Sequence, residues 1–323
     1  MMTPTPRPRR GITLVESLVA MFVAALAMIS LLALFPLGAL QMGQALKDSR
    51  CADTAINSES LMRTHWQTNV VEQPAGSQDA FINSFGTYAN NPSDPVFIDP
   101  IGQQSAAPSN VASLSATGAT PFTLTRQTLS VTPNFARAYR FCTLLDDMTF
   151  DQGGAPVMTG GTGPVERAGR YNWSAVLQRP VSTNPNVADL TVLVFDGRAA
   201  GFSPANAEVA YPNVTGNLSY SVGGTSLVIP YDQTQPRPLL GKGRWVMLTT
   251  AGTADTSTSP TTPLTPTRIS FYRAVSVNDE TAGQLTVELQ SAIKPIHASV
   301  ATTRAVVFAG LAEVFERPSL TPQ

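Results

Sequence analysis

The pattern of apolar and polar positions divides the chain sharply. From Leu18 to Leu40 there is no charged side chain, and only Ser30, Pro36 and Gly38 interrupt the apolar run. A hydrocarbon core ~30 Å thick takes about 20 apolar residues as helix, so this run is long enough to span a bilayer. Beyond it the pattern turns amphipathic. No Gly or Pro occurs between Gln44 and Asn69, and Met42, Ala45, Leu46, Ala52 and Ile56 recur on one side at helical spacing. Ser49, Asp53 and Arg63 share that side, so the stripe is modest. The spacing predicts one long helix from Ile12 to about Thr68, its first half in the membrane and its second half packed on the remainder of the protein. Pro36 and Gly38 predict a kink near the outer membrane surface.

Helical periodicity then stops. Residues 69–121 have loop compositions such as Asn90-Asn91-Pro92-Ser93-Asp94-Pro95, with apolar clusters (Phe81, Ile82, Phe85; Val96, Phe97, Ile98) that would tack the loop onto a core. Phe122–Thr125 predicts a short strand and Ala136–Met148 a short helix. The glycines between Gly153 and Gly163 predict a hairpin loop, since they precede a strand and lack the Lys-Ser/Thr of a phosphate-binding loop. From Tyr171 the runs alternate and are β-branched. Tyr171–Gln178, Asp189–Phe195, Arg244–Thr250, Arg268–Val277, Gln284–Leu289 and Arg304–Phe315 are strand candidates, with Gly252–Thr267 as a long Thr/Pro-rich excursion. The fold class is therefore α+β: a long N-terminal helix covered by a C-terminal antiparallel sheet with long loops.

Composition adds limits. The 26 Pro and 23 Gly suit a β-rich body, and a net charge of −1 gives no reason to expect nucleic acid or acidic substrates as partners. The charges that do matter cluster at the start. Arg7, Arg9 and Arg10 precede the apolar run, and basic flanks stay cytoplasmic, so everything after Leu40 is expected to be exported. One carboxylate, Glu16, stands where the membrane face begins, although a charge there costs roughly 2.5–3.5 kcal/mol even on the lenient insertion scale. A conventional signal peptide has a shorter apolar core and a small-x-small cleavage site, which Ala39-Leu40-Gln41 does not supply. A plain signal anchor fits the hydropathy but leaves Glu16 without a reason.

Gly11-Ile12-Thr13-Leu14-Val15-Glu16, following a basic leader and preceding the apolar helix, resembles the processing and methylation motif of type IV pilins and of the pseudopilins of type II secretion. The resemblance covers about 30 residues and implies a set of expectations. Prepilin peptidase would cut between Gly11 and Ile12 and methylate Ile12. The segments would be a cytoplasmic leader at 1–11, a transmembrane and assembly helix at 12–40, its exported continuation at 41–68 and a β-rich exported domain at 69–323. Other pilin or pseudopilin subunits, an inner-membrane platform with its ATPase, and membrane lipid would be the partners. The localisation implied is the bacterial inner membrane, single-pass, with the body periplasmic. Cleavage would leave an amine on Ile12, four residues before Glu16 and so on the same helix face. An ion pair between that carboxylate and its own or a neighbour's amine would offset much of the cost of each charge. The large body and long loops point to a minor subunit. The competing reading is an anchored binding domain that never polymerises, and a third is an anchored enzyme.

Candidate chemistry is sparse. His65 and His297 lack a nearby Cys or acid at ligand spacing and read as surface or packing residues. No nucleophile elbow, zinc motif or dinucleotide fingerprint occurs, so neither catalysis, a cofactor nor a bound metal is expected. Asp146, Asp147 and Asp151 are too few for the six to eight oxygens that calcium takes. Cys51 and Cys142 are the two cysteines, and in an oxidising space they could pair, closing a long loop. Cys51 lies nearly opposite Met42 and Leu46 on the predicted helix. Unless the sheet packs on that other side, the sulfurs cannot meet within the ~7 Å Cα limit.

Overall fold

A computed structural model describes residues 13–72, 95–99, 110–111, 124–127, 142–144, 170–180, 184, 186–198, 208–214, 216–234, 237–255, 262–265, 267–279 and 281–322. The helix α1 runs unbroken from Leu14 to Trp66, through Pro36, and a π turn at Gln67–Val71 ends it. The chain divides into two compact units, Met1–Arg50 and Cys51–Gln323.

In the first unit the described residues are helical from Leu14, and Leu18–Leu40 is apolar around the whole circumference. Leu18, Phe22, Leu26, Ile29 and Leu32 are all exposed, and so are Val15, Val19 and Phe35. A helix that is hydrophobic on every side requires an apolar surrounding. Leu14–Leu40 rises about 40 Å at 1.5 Å per residue, more than the ~30 Å of a hydrocarbon core.

The second unit begins with the last turns of α1 and continues in β-strands. In order these are β1 (Val96–Ile98), β2 (Asn110–Val111), β3 (Leu124–Gln127), β4 (Tyr171–Gln178), β5 (Ala188–Asp196), β6 (Glu208–Tyr211), β7 (Ser219–Tyr220) and β8 (Ser226–Pro230). There follow β9 (Trp245–Thr250), β10 (Thr253–Asp255), β11 (Thr262–Thr265), β12 (Arg268–Asn278), β13 (Gln284–Leu289), β14 (Thr303–Phe308) and β15 (Leu311–Leu320). Among the described residues they form a six-stranded sheet ordered β15-β5-β4-β1-β3-β2 and a seven-stranded sheet ordered β6-β14-β9-β12-β13-β8-β7. All pairs are antiparallel except β1 with β3. A long helix followed by mainly antiparallel sheets is the α+β class that the sequence predicts.

Side-chain alternation explains the layering. Trp173, Ala175 and Leu177 of β4 with Leu190, Val192 and Val194 of β5 share one core with Cys51, Ala55, Met62 and Trp66 of the helix. Their neighbours Val176, Leu193 and Phe195 point the other way and pack with Met247, Val306 and Phe308 of the seven-stranded sheet. The six-stranded sheet is thus buried on both faces, which is why Leu190–Phe195 reads as an almost continuous apolar run. The opposite face of the second sheet closes a third core around Leu248, Tyr272, Leu285 and Val287.

Four local expectations change. The predicted strand Arg304–Phe315 is two strands in different sheets, because Gly310 adopts φ +74 and turns the chain from β14 into β15. A Cβ at Gly310 would meet the Asp196 carbonyl oxygen at 3.0 Å, so the turn requires glycine twice over. Within the Gly252–Thr267 excursion, β10 and β11 pair as a two-stranded ladder. Val96–Ile98 is a fully buried strand between β3 and β4 and not a tacked loop. Within the second unit the predicted stripe is not the packed side: its Ile56 is 53% exposed, while Cys51, Thr54, Ala55, Ser58, Met62 and Trp66 are buried. Small side chains at 51, 55 and 58 let the sheet approach the helix closely, and this outweighs the larger apolar Ile56. Phe81, Ile82, Phe85, the Gly153–Gly163 loop and most of Ala136–Met148 lie outside the described residues.

Candidate functional site

Arg7, Arg9, Arg10, Gly11 and Ile12 lie outside the described residues, and the described chain opens on the motif's Thr13. Its carbonyl accepts the first intrahelical bond, from the Ser17 N–H at 3.1 Å. Its Oγ1 accepts from the Glu16 N–H at 3.3 Å. Thr13 is therefore the N-cap, and Glu16 occupies the third helical position. Thr-x-x-Glu at these positions is the capping-box pattern. The acid also lies in the first turn, where the helix dipole favours negative charge. Two residues of the processing motif thus have a structural task that the spacing could have revealed: they fix where the helix begins. The Glu16 side chain is exposed.

Further along, Ser30 Oγ donates back to the Ala27 carbonyl at 2.8 Å, so its hydroxyl is satisfied within the helix. Nothing else polar interrupts the span before Gln41. The most apolar 18-residue window has a mean hydropathy of 2.8.

Among the other residues singled out by sequence, Cys51 and Cys142 are both fully buried and belong to the same core. Cys142 stands beside Thr143, which bridges to Asn172 at the start of β4. His297 is fully buried, with Nδ1 2.7 Å from Thr250 Oγ1 and its ring edge-on to Tyr272. Burial, helped by the charge of Lys294, pushes its pKa down to about 4. His65 lies within reach of Asn69, Nδ1 to Nδ2 3.1 Å. Asp146, Asp147 and Asp151 are outside the described residues.

A buried ionic cluster went unnoticed in the sequence. Arg198, just past β5, extends both guanidinium nitrogens to Asp99, which follows β1. Nη1 also donates to Ser174 Oγ of β4 at 2.9 Å, and Nη2 stands 3.8 Å from Glu208 at the start of β6. The guanidinium lies 4.2 Å from the Phe195 ring centroid. Arg198 and Asp99 are 99 positions apart and belong to no recognisable motif, so only the fold brings them together. The cluster joins the two sheets.

Among the described residues one helix, apolar, exposed on all sides and capped by Thr13, is long and apolar enough to cross a membrane, the form of a single-pass N-terminal anchor. Residues 6–32 match the family model described as the prokaryotic N-terminal methylation motif. The segment is thus a prepilin-type motif, and it implies pilin-like processing. Comparison with curated proteins and with solved structures gave no match.

Proposed function

We propose that this chain is a pilin-like structural subunit of a type IV pilus or a type II secretion pseudopilus, a minor rather than a bulk component. Prepilin peptidase cuts it between Gly11 and Ile12 and methylates Ile12. The helix holds it once in the inner membrane, with Arg7, Arg9 and Arg10 cytoplasmic and the β-rich body periplasmic. A platform protein and its ATPase extract it into the filament beside other subunits. The body acts as a structural module and not as an enzyme.

The observation that carries this reading is the methylation motif at residues 6–32 leading into an uncharged, lipid-compatible helix. Glu16 follows Ile12 by four residues, the spacing that places a carboxylate beside the terminal amine of its own chain or a neighbour's. In lipid each charge alone is costly, and the pair offsets that cost.

The test is the intact mass of the protein from its native host. Loss of residues 1–11 with one added methyl group supports the proposal, and an intact leader refutes it. A Glu16→Ala variant separates filament assembly from simple anchoring. Assembly fails while membrane insertion persists if the subunit polymerises, whereas wild-type behaviour in both favours the anchored binding domain.

A further inference from the structure

A cleft of about 440 Å³ opens where β9, β12 and β15 come together. Its size falls within the ~300–1,000 Å³ of small-molecule sites. Trp245 and Phe271 give it aromatic surface, and Val314 adds an aliphatic wall; all three are half-buried. The indole does not swing freely. Its N–H donates to Glu313 Oε2 at 3.1 Å, and Arg273, ion-paired to Glu313 Oε1 at 3.1 Å, stands 5.9 Å from the indole centroid. A ring held in place by its own neighbours costs little further entropy when a ligand packs on it.

The polar groups narrow the ligand class. Arg273 is neutralised by Glu313, and Glu316 lies 3.8 Å from Lys294. Two acids balance two bases, so an anion finds no surplus cation. The exposed side chains of Gln290 and Ser291 make no hydrogen bond among the described residues, which leaves an amide and a hydroxyl to serve as donors and acceptors. An acyl chain would leave these groups and the Glu316 carboxylate desolvated and unpaired, at a cost. A sugar ring suits both features, since its C–H face packs on aromatic carbon and its hydroxyls both give and accept hydrogen bonds.

We propose that this cleft binds a neutral saccharide, stacked on Trp245 and Phe271 and hydrogen-bonded at its edge by Gln290, Ser291 and Glu316. The site lies wholly in the second unit and does not depend on polymerisation.

The experiment titrates the full chain, in a polyoxyethylene detergent that carries no sugar, with maltotriose, cellotriose and chitotriose. Trigalacturonate is the charged comparison. Trp66 and Trp173 are 1% and 2% exposed, so a change in tryptophan emission reports on Trp245. A saturable change with at least one neutral trisaccharide, half complete below about 10 mM, supports the site, and in Gln290→Ala and Ser291→Ala it weakens about tenfold. Both variants alter exposed side chains, and unchanged thermal melting confirms that they fold. Saturation-transfer NMR with Trp245→Ala should show the signal lost. Silence from all three neutral probes, undiminished binding in both surface variants, or a salt-dependent preference for trigalacturonate overturns the proposal.

Discussion

Arg198 and Asp99 form a two-pronged ion pair shut away from water, their side chains 2% and 0% exposed. Glu208 stands near the same guanidinium and Ser174 donates to Asp99 Oδ1 at 3.1 Å, so the charges are embedded in hydrogen bonds. The pair ties the end of β1 and the end of β5 to the first residue of β6, and hence one sheet to the other. Breaking a buried pair leaves a charge without compensation, which costs about 3–5 kcal/mol. Arg198→Ala should therefore lower the unfolding free energy of the body by that amount, read as a shift in urea midpoint. Arg198→Lys should fall between, since one ammonium cannot engage both carboxylate oxygens as the guanidinium does.

Cys51 and Cys142 bear on how the helix is fastened. The objection to a bridge was that Cys51 faces away from the Met42 and Leu46 stripe. The sheet packs on the Cys51 side, and both sulfurs sit at 0% exposure in one core. Both are thiols in this structure; a bridge formed between them in an oxidising compartment would join the helix to the sheet. Denatured, unreduced material should then take up no maleimide, and reduction should expose two reactive thiols. Reduction should also cost the body about 3–5 kcal/mol in the loop-entropy account, measured as a lower urea midpoint. Maleimide uptake by unreduced, denatured protein excludes the bridge.

His297 makes stability depend on acidity. Its surroundings are Thr250, which shares a hydrogen bond with Nδ1, the Tyr272 ring, Tyr220, whose hydroxyl donates to the His297 carbonyl, and the cation Lys294. None of these favours an imidazolium. The folded pKa is depressed from 6.5 to about 4, so below pH ~6.5 the unfolded chain binds a proton that the folded one refuses. The stability from keeping this ring neutral is fully present above pH ~6.5 and is lost as pH falls through 6.5 toward 4, by on the order of 3 kcal/mol. Thermal midpoints measured between pH 7 and pH 4 should fall steadily, and His297→Gln should flatten that slope. An unchanged slope in the variant assigns the effect to other groups.

What was legible in the sequence follows from which signals are local. Five strands and the helix announced themselves because period 2 and period 3.6 are visible within a single element. The buried side of the helix in the second unit was not legible, since Ile56 is the larger apolar residue whereas close packing selected Cys51, Ala55 and Ser58. The split between β14 and β15 depended on one glycine whose positive φ has no signature in an otherwise alternating run. Asp99 and Arg198 carry no local signal, and their pairing is a product of topology. At the N-terminus the cap formed by Thr13 has a local signature in the Thr-x-x-Glu spacing.

That cap separates two roles within one short motif. The Thr13 Oγ1 bond is accepted from the Glu16 backbone, not from its carboxyl. Glu16→Gln should therefore leave the helix start intact while removing the charge that would meet the Ile12 amine. Membrane insertion, followed by resistance to alkaline extraction, should match wild type. Incorporation into sheared filaments should fall about tenfold for each 1.4 kcal/mol that the ion pair contributes. Thr13→Val removes the acceptor while keeping the shape, and loss of an N-cap costs about 1 kcal/mol. It should fray the first turn, displace Glu16 from its register and reduce incorporation while the carboxylate is still present, and Thr13→Ser should restore it. If Glu16→Gln assembles as wild type does, the carboxylate serves the helix dipole alone, and the partner for a neighbour's amine must be sought elsewhere.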